Sequence, residues 1–204
     1  MTAIVKIANI AKLQSHKINK KNNFISGWYM DDLSVCDDLI DLYDDSADKR
    51  PGTVGSLNAH IDTKVKDSSD VSINPRTNEP KIQNYLKTLL TMIDKYKKQY
   101  IYCNKFQRQW GINELLCIQK YKPKQGYHAY HYERSGTSTR MLAFLTYLND
   151  VEDCGGTQFF YQKFKTKAEK GLTIIFPTEW THTHRGIISP TETKYIIAGW
   201  FSYL

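Results

Sequence analysis

The spacing of apolar residues changes from a helical to a strand-like period about half-way along the chain. In residues 31–46, apolar side chains recur every three or four positions between aspartates. In residues 81–100 the same spacing recurs, with lysines on the opposite side. A period near 3.6 predicts an amphipathic helix in each segment. Between them, residues 50–80 are rich in Pro, Gly, Asn and Ser, which indicates loops with one or two short strands, for example around residues 61–65.

From about residue 113 onward, apolar and polar residues alternate in short runs rich in aromatic and β-branched side chains. The runs are 113–121, 126–133, 140–148, 157–164, 172–176 and 194–204. Short strands at this spacing, with no helical pattern between them, predict an antiparallel sandwich or barrel. The chain of 204 residues is therefore expected to form one domain, with helices first and a β-barrel second.

The net charge of +7 is spread unevenly and includes no run of five or six consecutive basic residues. The first 30 residues hold five lysines and no acid, whereas residues 31–48 hold eight aspartates and no basic residue. A positive balance is compatible with a nucleic-acid partner, but without a basic tract it is more typical of a solvated surface.

Membrane insertion and secretion find no support in the sequence. No stretch approaches the ~20 consecutive apolar residues of a membrane span, and the N-terminus lacks the hydrophobic region of a secretory signal. The four cysteines, Cys36, Cys103, Cys117 and Cys154, are widely spaced and form no CxxC pair. They are expected to be reduced thiols, which predicts a cytoplasmic protein.

Four of the six histidines form two close pairs in the β-rich half, His128 with His131 and His182 with His184. On a strand, residues i and i+2 point the same way, so His131 and Glu133 are expected to face one pocket. One histidine of the second pair would complete a set of two imidazoles and one carboxylate. That set binds non-haem Fe(II) and leaves coordination positions open. The alternative is histidines scattered over strands without a metal.

The segment 119–204 resembles the Fe(II)/2-oxoglutarate-dependent dioxygenases, and within them the prolyl 4-hydroxylase-like group. The matching pieces occur in the family's order: Tyr121-Lys-Pro, Gly126-Tyr127, His131-x-Glu133, Arg140, Tyr147-Leu-Asn-Asp150, Gly155-Gly156-Thr157-x-Phe159, Lys170-Gly171, Phe176-Pro177, His184, Lys194 and Trp200. The resemblance implies an α+β, mainly β fold in which a double-stranded β-helix (jelly-roll) core is braced by N-terminal helices. It implies a single domain, 1–204, with a helical and loop support region at 1–110 and the catalytic core at 111–204.

The resemblance also implies which residues bind the metal. His131 and Glu133 match the first two iron ligands of the family. The family's second histidine precedes, by about ten positions, the basic residue that binds the distal carboxylate of 2-oxoglutarate. This spacing selects His184 as the third ligand and Lys194 as the co-substrate anchor, with His182 as the alternative ligand. His131, Glu133 and His184 are thus the expected catalytic and metal-binding residues.

Further residues match positions near the co-substrate or the substrate. Tyr121 and Tyr147 match tyrosines near the 2-oxoglutarate carboxylates, although each could equally be a core aromatic residue. Arg140 is expected to contact substrate or an active-site carboxylate, and Tyr127 and Trp180 are expected to contact substrate. Trp200 matches a structural position and is expected in the core.

The sequence departs from the family pattern in two places. The usual aspartate is replaced by Glu133, which is one methylene longer. One extra residue also lies between Tyr127 and His131, which suggests a bulge and raises His128 as a minor alternative ligand.

The implied activity is hydroxylation of a C–H bond with release of succinate and CO2, in the manner of a peptidyl prolyl 4-hydroxylase. Its cofactors would be Fe(II), 2-oxoglutarate and O2 as co-substrates, and ascorbate as a possible reductant. The expected partner is a peptide or protein substrate. Aromatic residues are expected to line part of its binding groove, among them Tyr127, Tyr130, Tyr132 and Trp180. Two alternatives remain open: a nucleic-acid base oxygenase, supported weakly by the positive charge, and a non-catalytic metal-binding jelly-roll or structural protein, supported by Glu133.

Overall fold

The computed structural model describes residues 23–55, 59–105 and 108–204. The interpretation of the N-terminal lysine-rich segment concerns mostly residues 1–22, which lie outside the described residues. Two α-helices are present in the described part, α1 (Ser34–Asp45) and α2 (Pro80–Gln99). The strands are β1 (Ser26–Tyr29), β2 (Arg50–Pro51), β3 (Lys66–Asp67), β4 (Ser69–Ile73), β5 (Trp110–Gly111), β6 (Leu116–Tyr121), β7 (Gly126–Tyr127), β8 (Arg140–Tyr147), β9 (Thr157–Phe159), β10 (Phe164–Lys165), β11 (Leu172–Pro177), β12 (His184–Gly186) and β13 (Lys194–Tyr203).

Both helices form where the sequence predicts them, because each has a buried apolar stripe, and α2 also has favourable ends. Helix α2 starts at Pro80, which suits a first turn because it needs no backbone N–H there, and its last turn carries Lys97 and Lys98 near the helix C-terminus. Its buried stripe packs with that of α1 against the sheet in one hydrophobic core. The aspartates of α1 lie on the opposite, solvated side, where several form exposed ion pairs with Lys81, Lys120 and Lys170.

The larger sheet is antiparallel and carries the strand order β1-β11-β8-β13-β6-β4-β2, with β5 paired to β13. Alternate residues of its strands face opposite sides. In β8, Leu142 and Phe144 pack with the helices, whereas Ala143 and Tyr147 belong to clusters on the other side. One face of the sheet is therefore covered by helices, and the other faces a cavity.

A smaller layer closes the other side of that cavity. It consists of the antiparallel sheet β10-β9-β12, the β3–β7 pair and an isolated bridge between His131 and His184. Two facing antiparallel layers form the jelly roll expected from the resemblance, and the mainly β fold with bracing helices is confirmed.

Two sequence-based strand predictions differ from the structure. The run 126–133 forms a regular strand only at Gly126–Tyr127, because the N–H groups of His128 and Ala129 both donate to the carbonyl of Val65. Two residues of one strand that lie opposite a single residue of its partner form a β-bulge. The short strand expected at residues 61–65 lies instead at Lys66–Asp67 and Ser69–Ile73, because Asp62 closes a turn by accepting from the N–H groups at 65 and 66.

The first 110 residues contribute more than bracing helices. They also supply β1, β2 and β4 to the larger sheet, where β1 pairs with β11 and β4 pairs with β6. Among the described residues, no helix combines the length and the apolar composition needed to cross a membrane. All four cysteines are free thiols.

Candidate metal centre

Two backbone hydrogen bonds place His131 and His184 side by side. The N–H of each residue donates to the carbonyl of the other at 2.9 Å, which makes an antiparallel bridge between two distant segments. Glu133 lies two residues beyond His131, and its N–H donates to the carbonyl of Thr178 at 3.1 Å. The bridge and this bond fix the backbone beneath all three side chains, so their side chains share one end of the cavity.

The three side chains converge on one point. Nε2 of His131 lies 3.5 Å from Oε1 of Glu133, and Nε2 of His184 lies 3.4 Å from the same oxygen. The three potential ligand atoms lie within 4.8 Å of one another, and they form the one such group found in the described part of the chain. The structure thus brings together the three residues that the sequence selects.

Hydrogen bonds at the far side of each ring determine which nitrogen faces the cavity. Nδ1 of His131 lies 3.1 Å from the carbonyl oxygen of Ala129, and Nδ1 of His184 lies 2.9 Å from that of His182. A carbonyl oxygen can only accept, so each Nδ1 carries the proton and each Nε2 presents a lone pair. Burial lowers the pKa of His131, which favours its neutral form.

Glu133 is held ionised and in a defined orientation. Burial alone would raise the pKa of its carboxyl, but His131 and His184, which can donate to Oε1 when they are protonated, hold that pKa well below its usual value. When the imidazoles are neutral, a cation bound between them and Oε1 would keep the carboxylate ionised. Its second oxygen, Oε2, accepts from Nε1 of Trp200 at 3.0 Å. Oε1 is thereby left to face the two imidazoles, so two lone pairs and a negative charge meet at one point, an arrangement that a cation stabilises.

An ion pair between Arg140 and Glu114 lies beside the carboxylate of Glu133. Arg140 donates through Nε and Nη2 to the carboxylate of Glu114, and its Nη1 lies 3.2 Å from the carbonyl of Glu133 and 3.8 Å from Oε2. The guanidinium also lies 3.4 Å from the ring centroid of Trp200. Ser202 donates to Glu114 at 2.8 Å. The structure therefore places Arg140 beside the carboxylate of Glu133, which is the second of the two contacts expected for it.

Sequence reasoning missed the partners in this network. Trp200 was expected to be a core residue, yet it is half-buried and donates to Glu133. Glu114 was not singled out, although an arginine opening a buried strand needs an anionic partner. The lone acid at the start of the 113–121 run was the available signal.

The metal-binding group lies on the wall of a cavity of about 730 Å³ between the two layers. The cavity floor is the inner face of the larger sheet, and Lys194, Tyr121 and Tyr147 line the same space. Lys194 opens β13 and pairs with Tyr121 across the sheet. The sheet register therefore brings the predicted co-substrate residues into the chamber that holds the histidines.

Lys194 is a buried cation without a carboxylate partner. Only 5% of the residue is exposed, and no described Asp or Glu carboxylate lies within 4.0 Å of its Nζ. Nζ donates to the carbonyl of Gly155 at 2.8 Å, and Gly155 adopts a φ of +69° that favours glycine. Burial lowers the pKa of Lys194 to about 8. A buried, unpaired ammonium is a site that an anionic ligand would stabilise.

The two predicted co-substrate tyrosines have their hydroxyl groups occupied. The hydroxyl of Tyr121 donates to Oε1 of Gln119 at 2.5 Å, and its ring lies 4.9 Å from Nζ of Lys194. The hydroxyl of Tyr147 is hydrogen-bonded to the hydroxyls of Thr157 and Thr166, at 2.7 and 2.6 Å. Burial raises the pKa of both tyrosines, so both stay protonated.

The two predicted aromatic substrate residues lie in different places. The ring of Tyr127 stacks on that of His131 with centroids 3.6 Å apart, at the cavity. Trp180 is 59% exposed, on the outer surface, and packs edge-on against Tyr161. The structure thus places Tyr127 at the metal centre and Trp180 outside the cavity.

The alternative histidines lie apart from the metal-binding group. His182 is buried, and its Nε2 donates to the carbonyl of Asn23 at 2.9 Å while Nδ1 is hydrogen-bonded to Thr181 at 3.0 Å. His128 sits in the bulge beside Val65. Neither residue belongs to the group formed by His131, Glu133 and His184.

Three solved structures with a similar fold are described as prolyl hydroxylases. A viral collagen prolyl hydroxylase of Paramecium Bursaria Chlorella virus-1, in complex with 2-oxoglutarate, has a TM-score of 0.67 and 17% identity over 89% of this chain and 97% of its own. A prolyl-4-hydroxylase of Pseudomonas putida has a TM-score of 0.65 and 15% identity over 88% and 92%. A prolyl hydroxylase of Trichoplax adhaerens, in complex with a peptide fragment of hypoxia inducible factor, has a TM-score of 0.70 and 16% identity. The match covers 88% of this chain and 84% of that chain.

Two sequence comparisons add to the structural neighbours, one with curated proteins and one with protein-family models. No curated protein matches the chain. The model of the 2OG-Fe(II) oxygenase superfamily matches residues 116–202, which include every member of the metal-binding group as well as Lys194. Two imidazoles that present lone pairs, one ionised carboxylate and a buried unpaired lysine fit Fe(II) and a dicarboxylate co-substrate. Residues 116–202 of this chain are therefore similar to the 2OG-Fe(II) oxygenase superfamily.

Proposed function

We propose that this protein is an Fe(II)- and 2-oxoglutarate-dependent dioxygenase that hydroxylates a C–H bond of a peptide or protein, in the manner of a prolyl 4-hydroxylase. One observation carries the proposal: the cation-binding group of His131, Glu133 and His184 shares a single cavity with the unpaired ammonium of Lys194. A metal site and an anion site in one chamber are what a keto-diacid co-substrate requires.

Each residue has a defined role in this proposal. His131 and His184 present their Nε2 lone pairs to Fe(II), and Glu133 supplies one negative charge through Oε1. Trp200 donates to the other carboxylate oxygen and Arg140 lies beside it, which would leave Oε1 available to a bound metal ion. When bound, Fe(II) supplies the oxidative chemistry that couples conversion of 2-oxoglutarate to succinate and CO2 with hydroxylation of the substrate.

Lys194 and the cavity walls position the co-substrate. The ammonium of Lys194 binds the distal carboxylate of 2-oxoglutarate, with the ring of Tyr121 against it. Apolar side chains such as Ala143, Phe176 and Ile196 line the cavity and limit the access of water. Low access of water strengthens the charge-assisted hydrogen bond of Lys194 and protects the reacting groups.

A peptide substrate is favoured over the two alternatives. One structural neighbour is described in complex with a peptide fragment. The non-catalytic alternative rests on Glu133, but its carboxylate reaches 3.4 Å from His184, so the longer side chain still takes part in the site. A nucleic-acid substrate is supported only by the net charge of +7. Ascorbate as a reductant and a cytoplasmic location remain predictions.

The substrate class is tested by turnover. The protein, supplied with Fe(II), 2-oxoglutarate, O2 and ascorbate, is incubated with proline-rich peptides, with matched peptides in which alanine replaces proline, or with oligonucleotides. We expect succinate release above background, and a mass gain of one oxygen atom, only with the proline-containing peptides. Succinate release driven by oligonucleotides alone would identify a base oxygenase, and metal binding without turnover of any substrate would favour the non-catalytic alternative.

The metal ligands are tested by paired histidine variants. His184→Ala removes an Nε2 donor and should lower Fe(II) affinity on the order of 100-fold or more. His182→Ala removes the neighbouring histidine, whose ring nitrogens bind Asn23 and Thr181, and should weaken metal binding only a few-fold. Anaerobic calorimetry measures both affinities. A larger loss in His182→Ala than in His184→Ala would show that the ligands are assigned wrongly.

Trp200 is tested as a positioning residue for Glu133. Trp200→Phe keeps an aromatic ring but removes the N–H that binds Oε2, so we expect Fe(II) affinity to fall about tenfold. Trp110→Phe makes the same change at a half-buried tryptophan that packs against Phe201, and should leave metal affinity unchanged. Equal metal affinity in wild type and Trp200→Phe would contradict the positioning role.

Lys194 is tested through co-substrate binding. Lys194→Met retains an unbranched side chain of similar shape, one atom shorter, but removes the charge, and should weaken 2-oxoglutarate binding by about 2–3 kcal/mol. Since burial lowers the pKa of Lys194 to about 8, wild-type affinity should also fall as pH rises above 8, because the ammonium then loses its proton. The Lys194→Met variant should lack this pH dependence.

The control for this experiment is Lys167→Met, at an exposed position. It should bind 2-oxoglutarate with wild-type affinity and wild-type pH dependence. Wild-type binding by Lys194→Met would remove Lys194 from the co-substrate site.

A further inference from the structure

A chain of exposed aromatic rings lies on the surface next to the metal centre. We name it the aromatic ridge, and its members are Tyr130, Phe160, Tyr161 and Trp180, which are 37%, 53%, 57% and 59% exposed. Successive ring centroids lie 5.1, 5.1 and 5.8 Å apart, and successive rings are nearly perpendicular. A contiguous exposed aromatic patch of this kind is a mark of an interaction surface.

The ridge lies on segments adjacent to the candidate metal ligands. Tyr130 directly precedes His131, and the N–H of Phe160 donates to the carbonyl of Thr183, next to His184. Side chains that alternate along these segments point to opposite sides. The ring of Phe159 contacts that of His184 on the inner side, whereas the ridge lies on the outer surface. A ligand on the ridge would thus lie one backbone layer from the metal centre.

Positive charge accompanies the ridge. Lys165, Gln158 and Arg185 are register partners across strands β10, β9 and β12, and Arg185 donates to Gln158 and lies 4.6 Å from the ring centroid of Tyr130. Residues 157–168 include three lysines and no acid. The acid nearest to the ridge in sequence, Glu179, is already paired with Arg134 at 2.6 Å.

The two cations of this row have no acidic partner. Within the described residues, neither Lys165 nor Arg185 has a carboxylate within 4.0 Å, whereas several other surface lysines do. An aromatic surface beside unpaired cations is complementary to a chain that combines apolar rings with carboxylates.

We infer that the aromatic ridge, together with Lys165 and Arg185, binds an acidic, proline-containing segment of the protein substrate outside the catalytic cavity. This inference rests on the proposed function and specifies its substrate class. Prolyl rings of an extended segment pack against the aromatic rings, as in other recognition of polyproline conformation. Glutamate or aspartate side chains of the same segment bind Lys165 and Arg185.

The ring geometry favours a peptide over a single-stranded nucleic acid. Successive bases stack on open, roughly parallel faces. In the ridge, contacting rings are inclined by 80–85°, and the guanidinium of Arg185 covers one face of Tyr130. A corrugated surface of ring edges and faces suits the puckered rings of proline better than a stack of bases.

The inference is tested by binding to the full chain, without turnover. Fluorescence anisotropy compares labelled peptides of equal length built on repeating Pro-Glu-Ala, Pro-Gln-Ala or Pro-Lys-Ala units, and a labelled oligothymidylate. We expect the Glu peptide to bind about tenfold tighter than the Gln peptide, with an affinity that falls as salt rises. The Lys peptide should bind most weakly.

Substitutions test the contributions of the two cations, Lys165 and Arg185, and of the aromatic rings separately. Lys165→Gln with Arg185→Gln should reduce binding of the Glu peptide to that of the Gln peptide. Trp180→Ala should weaken the Glu and Gln peptides by the same factor, about fivefold. Lys95→Gln with Lys98→Gln removes two exposed charges from α2 and is the matched control, which should bind like wild type.

Three results would overturn the inference. They are equal affinity for the Glu and Gln peptides, wild-type affinity in the Lys165 and Arg185 double variant, and tighter binding of oligothymidylate than of every peptide. Absence of succinate release in the turnover experiment would contradict the proposed function without changing these affinities. Loss of the acidic preference would instead leave turnover of short proline peptides intact.

Discussion

The backbone bridge between His131 and His184 is the constraint on which the rest of the site depends. Its two hydrogen bonds join segments that are far apart in sequence and set two imidazoles next to each other. Because the rings are then anchored through Nδ1 to backbone carbonyls, both present Nε2 to the same point. A metal site made this way is fixed by backbone geometry more than by side-chain packing, and the jelly roll is what brings the two segments together.

The cavity contains two charged sites, one at the bridge between His131 and His184 and one further along the larger sheet. At the metal end, Glu133 is ionised and is oriented by Trp200 and the Arg140–Glu114 pair. Further along the sheet, buried Lys194 donates to carbonyl oxygens and faces an aromatic ring, and no carboxylate of the described residues lies within 4.0 Å of its Nζ. Burying a cation without a counter-charge is costly, and binding of a small dianion such as the proposed co-substrate would relieve this cost.

Much of this architecture could be predicted from the sequence, because its strongest signals are local. The 3.6-residue spacing of apolar side chains predicts α2 nearly to its ends. The alternation of apolar and polar residues at 140–148 and 194–204 predicts the two central strands. The metal-binding group followed from the resemblance, since His131-x-Glu133 and the spacing from His184 to Lys194 are sequence features.

The features that could not be predicted depend on contacts between distant segments. The bulge at His128 forms only because Val65 offers one carbonyl to two N–H groups, and β1 and β4 join the sheet by pairing with strands far along the chain. The role of Arg140 depends on Glu114, which is separated from it by 26 positions and carries no motif. Trp180 was expected at the substrate cavity, and only the turn at Trp180–His182 shows that it belongs to the outer surface.

Anomalous diffraction from crystals grown without O2 in the presence of Fe(II) and 2-oxoglutarate tests the central claim most directly. The account predicts one iron peak bonded to Nε2 of His131, Nε2 of His184 and a carboxylate oxygen of Glu133, with the distal carboxylate of 2-oxoglutarate on Nζ of Lys194. An iron peak that involves His182 or His128 in place of either ligand, or a co-substrate bound away from Lys194, would contradict it.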